Sequence, residues 1–299
     1  MSLATAPNAS RRLPAPAGGP PGRIRTFRAA IARRRGLREF LFIGLVYAMY
    51  DGSRFIVAGK ESTAFSHAVG VLDIEDKLHF GWEKALNELV SAHALLAVPA
   101  DYIYATLHYL VTPIVLVWMW RLHREHYARA RTTLMVATVI GLVGFSLLPV
   151  APPRMLPGFV DTMAQYAGAG WWGEQASAPR GVGSLTNQFA AMPSLHVGWA
   201  LWAGWQLVVH GRHRITRWFG VFYPALITVV VMATGNHYLL DAVAGVAVVL
   251  LAMVAVRGVA ALRPRRVIDL TAHETPVSPR SEEPSTVEAP IPSQGARVD

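Results

Sequence analysis

The chain has 299 residues, of which 53% are hydrophobic and only 16% are charged, and its formal net charge is +9. Soluble domains carry about 25% charged residues, so this balance excludes an ordinary soluble domain and indicates a protein of the bilayer. There is no cysteine, which excludes a disulfide framework and a thiolate metal site. The arginines lie in short segments between apolar runs, which is typical of membrane topology and not of a nucleic-acid-binding face.

Six apolar segments follow a basic stretch at 1–38 that is rich in Pro, Ala, Gly and Arg. Each segment is near the roughly 20 residues needed to cross a bilayer. We place these spans at about 39–58, 95–120, 132–150, 194–210, 217–235 and 236–257. The second is the least regular, because Pro99, Asp101, His108 and Pro113 interrupt it.

The charges predict the orientation of the spans. The loops 123–131 and 210–217 hold three arginines each, and more arginines follow the last span. By the positive-inside rule these loops and both termini are cytoplasmic, while 59–94 and 151–193 lie outside. We therefore expect a multi-pass cell-membrane protein with an all-α fold, a six-helix transmembrane bundle at 39–257. Residues 1–38 and 258–299 are predicted to be disordered cytoplasmic tails.

The outer segment 61–93 carries apolar residues at helical spacing. This pattern predicts one or two helices. It fits amphipathic helices lying on the outer membrane face and an extracellular helical hairpin equally well.

Three polar features fall on the outer side of this topology. They are PVAPPRMLPG at 149–158, MPSLH at 192–196 and GNHYLLD at 235–241. A single histidine at a membrane boundary is usually only an interfacial residue. Ionisable groups from separate spans that meet on one side indicate a functional site.

The residue types in these features suit phosphoryl transfer. His237 and Asp241 are four residues apart, so on a helix they share a face and the carboxylate can fix the imidazole tautomer. His237 is the candidate nucleophile, and His196 can protonate a leaving oxygen. Phosphate also requires positive charge and N–H donors. We expect these from Arg154 and Arg180 and from helix starts capped by Ser194 and Asn236.

Two alternatives remain open from spacing alone. His196, His237 and Asp241 form a two-histidine, one-carboxylate set that could hold zinc or iron in a metal-dependent membrane enzyme. The chain could also be a non-catalytic lipid-binding or transport protein with a vestigial site, although no inverted repeat is evident.

The two histidine motifs resemble those of the type 2 phosphatidic acid phosphatase superfamily, and most closely its inositol phosphorylceramide synthase-like branch. They are P-S-L-H at 193–196 and H-Y-L-L-D at 237–241, and the resemblance covers roughly 39–257. It implies that His237 attacks phosphorus, Asp241 orients it and His196 acts as general acid. It also implies a lipid phosphate or phospholipid substrate, with no metal or other cofactor.

Two positions depart from the phosphatases of this superfamily. Their upstream K-x6-R-P motif has no counterpart lysine in LPVAPPRM, and Val230 and Val231 stand where they carry Ser-Arg. We expect Arg154 to supply much of the missing charge, with Arg180 as a helper. This departure favours the synthase-like branch. Neither the oligomeric state nor the acceptor, water or an alcohol, can be read from the sequence.

Overall fold

The computed structural model describes residues 61–172 and 188–262, with a few positions between 36 and 52. Within these residues the chain is helical and contains no strand, and one isolated bridge joins Val150 to Ala190. The all-α prediction is confirmed for this part of the chain. The predicted first span, the tail at 1–38 and most of the tail at 258–299 lie outside the described residues.

Residues 61–172 and 188–262 form seven main helices, with short helical turns at Pro153–Met155, Thr162–Gln165 and Ala167–Ala169. The main helices are α1 Glu61–Lys77, α2 Glu83–Ser91, α3 Ala94–Leu122, α4 Arg124–Leu147, α5 Leu195–His210, α6 Arg214–Ala233 and α7 Leu239–Leu262. The third of them contains a π-helical turn at Ile103–Leu107. The last continues through residue 262.

The prediction of six spans is not met in the described residues, where four helices are long and apolar enough to cross a membrane. These are α3, α4, α6 and α7. The predicted fourth span is α5, which has only 16 residues. At 1.5 Å per residue it is about 24 Å long, shorter than the roughly 30 Å of a bilayer hydrocarbon core.

The short helix α5 packs inside the bundle against α3, α4 and α6. Its Trp202 is fully buried and donates its indole N–H to the carbonyl of Ala130 on α4 at 2.9 Å. Gly204 meets Gly220 of α6 so closely that a Cβ on Gly204 would lie 2.3 Å from the Gly220 carbonyl oxygen. Small residues at this crossing let the two backbones approach.

Segment 61–93 forms two helices, α1 and α2, as its periodicity predicts. The first buries one face through Ala64, Ala68, Val71 and Glu75. This face packs against residues 150–156 and Tyr238. The pair therefore covers the end of the bundle at which α5 and α7 begin, which is where both histidine motifs lie.

Candidate active site

The helices that carry the two histidine motifs begin side by side. The backbone N–H of Ser194, just before α5, donates to the carbonyl of Asp241 in the first turn of α7 at 2.9 Å. Gly198 and Gly245 face each other at this crossing, and a Cβ on Gly245 would lie 2.3 Å from the Ser194 carbonyl oxygen. The absence of a side chain at Gly245 lets the two motifs share one site.

His237 has a defined proton arrangement. Its Nδ1 lies 2.9 Å from the backbone oxygen of Ala191 and 3.3 Å from Oδ2 of Asp241. Both partners are acceptors, so Nδ1 carries the proton and donates it. The lone pair of the neutral ring is then on Nε2, which is the atom available to act as a nucleophile. Asp241 shares the orienting role with a main-chain carbonyl, which sequence spacing did not reveal.

Carboxylates fill the start of α7. Oδ2 of Asp241 also accepts from the backbone N–H of Tyr238 at 2.9 Å, and Oε1 of Glu75 accepts from that of Leu240 at 2.7 Å. The first N–H groups of a helix have no partner within the helix and attract negative charge. The backbone amides of Tyr238 and Leu240 therefore already have carboxylate acceptors from the protein itself.

Of the two residues predicted to cap helices, Ser194 does so and Asn236 does not. Ser194 is the N-cap of α5, since its hydroxyl oxygen accepts from the backbone N–H of Val197 at 3.4 Å. Asn236 does not cap α7, because that helix begins only at Leu239. Its side chain instead donates to the Thr234 hydroxyl at 2.9 Å and accepts from Arg154.

His196 lies beside His237, with 5.7 Å between the ring centroids and 59° between the ring planes. Two residues of α3 hold it. Tyr104 stacks on its ring at 4.6 Å, and His108 meets it edge-on at 4.2 Å. Tyr104 lies in the π-helical turn and His108 directly follows it, and such turns are frequent at functional sites. Neither residue was among the predicted site residues, although an ionisable residue inside an apolar span, as His108 is, is itself a signal.

Arg154 is anchored next to the nucleophile motif. Its guanidinium donates to Oδ1 of Asn236 at 2.6 Å and lies 3.3 Å from a carboxylate oxygen of Asp161. Its backbone N–H donates to the carbonyl of Gly235 at 2.8 Å. Gly235 has φ of +70°, a conformation that favours glycine. The other arginine predicted to bind phosphate, Arg180, lies outside the described residues.

A buried pair of carboxyl groups supports this end of α7. Glu75 and Glu83 are almost fully buried and interact with each other. Burial, reinforced by Glu83, raises the pKa of Glu75 from 4.5 to about 9, against the opposing effect of the Leu240 N–H. Glu75 therefore keeps its proton at neutral pH. The sequence showed these residues only as part of an acidic outer segment.

The positions where the phosphatases carry Ser-Arg are part of the apolar interior. Val230 is 5% exposed and Val231 is fully buried, each within a hydrophobic cluster. Arg154 is therefore the arginine that the described residues place beside His237. No set of three His, Asp or Glu side chains in residues 61–172 and 188–262 is arranged to hold a metal ion.

Comparison with known proteins assigns the family. No curated protein and no solved structure gives a significant match. A family model described as the PAP2 superfamily matches residues 69–255, more than half of the chain. The matched region includes Glu75, Arg154 and both histidine motifs. Membership suggests a lipid phosphatase or phosphotransferase, in agreement with the apolar helices of the bundle. The chain belongs to the PAP2 superfamily.

Proposed function

We propose that this chain is an integral membrane phosphotransferase or phosphatase that acts through a phosphohistidine intermediate. Its substrate is a lipid phosphate or a phospholipid head group at the extracytoplasmic face, and its specificity is that of the inositol phosphorylceramide synthase-like branch. The observation that carries the proposal is the pairing of His196 and His237. Their rings lie 5.7 Å apart at the adjoining starts of α5 and α7, and the proton of His237 is on Nδ1.

In the first step, Nε2 of His237 attacks the phosphorus atom. A P–N bond forms, and the P–O bond to the leaving group breaks. Protonated His196 gives its proton to the leaving oxygen, so the leaving group departs as a neutral alcohol. Asp241 and the Ala191 carbonyl stabilise the positive charge that develops on the His237 ring, because both accept from Nδ1–H.

In the second step, neutral His196 takes a proton from water or from an acceptor alcohol. The oxygen of that molecule attacks phosphorus, the P–N bond breaks and His237 is regenerated. Water gives hydrolysis, and an alcohol gives head-group transfer. Both steps use the same two imidazoles, so the reaction needs no cofactor.

Phosphate binding is assigned to Arg154, Ser194 and Asn236, with Arg180 as an additional cation. Arg154 supports this assignment best, because its guanidinium bonds the residue that precedes His237. Its side chain is only 7% exposed, and a charge shielded from water acts more strongly on a phosphoryl group. The surrounding apolar helices suit a substrate whose tails remain in the bilayer.

The decisive experiment incubates the purified chain with a panel of radiolabelled lipid phosphates, with and without inositol or glycerol. His237→Ala should abolish both product release and an acid-labile radiolabel on the protein. Asp241→Asn should lower kcat by about 100-fold or more, because the tautomer is no longer enforced by a carboxylate. His93→Ala, at an exposed histidine of the same end, is the matched control. Wild-type turnover by His237→Ala would refute the mechanism, and full activity in EDTA would discard a metal-dependent enzyme.

The second candidate is a non-catalytic lipid-binding or transport protein with a vestigial site. The valines at 230 and 231 favour it, since the arginine expected there is replaced by buried apolar side chains. This candidate predicts lipid binding that His237→Ala leaves intact, and no phosphate release or head-group exchange by the unsubstituted chain.

A further inference from the structure

A cavity with several polar side chains in its lining lies at the opposite end of the bundle from the candidate active site. It has a volume of about 210 Å³ and is lined by residues of α4, α5 and α7. His196 stands at the start of α5 and His210 at its end. At a rise of 1.5 Å per residue these two residues are about 21 Å apart along the helix, so the cavity is separate from the catalytic machinery.

The rim of this cavity is cationic. Arg129 of α4 and Arg257 of α7 both line it and are exposed. The Arg257 guanidinium lies over the ring of Trp205, 6.0 Å from its centroid, which orients the charge. In the described part of the chain, no carboxylate lies within ion-pair distance of either arginine. By contrast, Arg131, two residues further along α4, is paired with Glu39.

The remaining polar lining comes from side chains deeper in the bundle. Gln206 and Thr133 are 6% and 4% exposed, and both line the cavity. Within the described ranges neither side chain has a hydrogen-bond partner in the protein, so their polar atoms are available to a ligand. The rings of His126 and His210 stack at 4.6 Å along one side. A polar group inside an apolar bundle is costly unless something binds it.

We propose that this cavity binds the phosphate group of an anionic lipid head group or of a soluble phosphate ester. Two guanidinium groups that have no carboxylate partner among the described residues match phosphate oxygens in charge and in fork geometry. Gln206, Thr133 and the histidines supply further donors. A water molecule occupies about 30 Å³ of liquid, so the cavity has room for about seven waters or for one phosphate group with part of its hydration shell.

The charge around the cavity favours the lipid as the source of the phosphate. Arginines are dense at this end of the bundle, in the last turn of α3, the first turn of α4 and the connection from α5 to α6. Basic pockets between helices at the cytoplasmic boundary bind anionic head groups. On the proposed orientation, this end is the cytoplasmic one. The site would then hold a lipid of the leaflet opposite to the substrate.

The test measures lipid binding to the purified full chain in detergent by native mass spectrometry. The probes are dioleoyl phosphatidylglycerol, dioleoyl phosphatidylcholine and, as the soluble arm, glycerol 3-phosphate. The cavity variant is Arg129→Gln with Arg257→Gln. The control is Arg124→Gln with Arg212→Gln, which removes the same charge from the same end but outside the cavity lining. Each pair is also measured with Arg154→Gln, which suppresses phosphate binding at the candidate active site.

We expect the cavity variant to lose at least tenfold in affinity for phosphatidylglycerol and the control less than twofold. The loss should be unchanged in the Arg154→Gln background, and Arg129→Lys with Arg257→Lys should restore part of the binding. Binding of glycerol 3-phosphate with the same dependence on the arginines would support the phosphate site and assign it to a soluble ester. Equal affinity for phosphatidylcholine, equal losses in the control pair, or losses caused only by Arg154→Gln would overturn the proposal.

Discussion

Glu75→Gln isolates the proton that Glu75 keeps beside Glu83. Oε1 of the new side chain can still accept the backbone N–H of Leu240, and its amide group can donate to Glu83. The substitution therefore keeps the hydrogen bonds that hold the start of α7 and removes one ionisable group. The acidic groups that face Glu75 are Glu83 of α2 and Asp241 of α7.

The expected effect follows from the raised pKa. Below pH 4.5, Glu75 is protonated in both the folded and the unfolded state. Between pH 4.5 and about pH 9 the folded state keeps a proton that the unfolded state loses. The free energy of unfolding therefore falls as pH rises through this window, by up to about 1.4 kcal/mol per pH unit. Between pH 6 and pH 8 the contribution of Glu75 amounts to about 3 kcal/mol, or roughly 5–10 °C in Tm for a chain of this size.

The assay is thermal unfolding in detergent, followed by tryptophan fluorescence at half-unit steps from pH 5.5 to pH 8.5. The Tm of Glu75→Gln should gain on the wild type as pH rises. Glu88→Gln, at an exposed carboxylate of α2, should run parallel to the wild type throughout. Parallel curves for Glu75→Gln and the wild type would show that the pair holds no additional proton, and the reasoning would be wrong.

Two further substitutions test how the site is positioned. Gly245→Ala should destabilise the fold by about 1–3 kcal/mol and lower kcat, because the added Cβ meets the rigid Ser194 carbonyl. This clash outweighs the gain of about 1 kcal/mol in helix propensity. A higher Tm at unchanged activity would contradict the close approach. Asn87→Ala should lower stability by about 3 kcal/mol in chemical unfolding, because the fully buried amide makes three hydrogen bonds to Val160 and Ala233. A loss below about 1 kcal/mol would show that these bonds contribute little.

Periodicity and local spacing were enough to predict much of the molecule. Long apolar runs predicted the helices that became α3, α4, α6 and α7, since a helix satisfies its backbone polar groups within its own segment in a bilayer. The spacing of four between His237 and Asp241 predicted their contact, although His237 lies two residues before α7 and the contact is made across the start of that helix. Placing both histidine motifs at the same end followed from the order of the spans alone.

Tertiary structure decided what depends on approach between distant segments. Sequence spacing could not show that the Ala191 carbonyl binds Nδ1 of His237, that Tyr104 and His108 hold the ring of His196, or that Glu75 reaches the amide of Leu240. Nor could it show that α5 is an internal helix too short to count among the four spans. Each of these contacts joins residues that are far apart along the chain. Composition and periodicity record which face of an element is apolar, whereas the partner that meets that face is determined only when the helices pack.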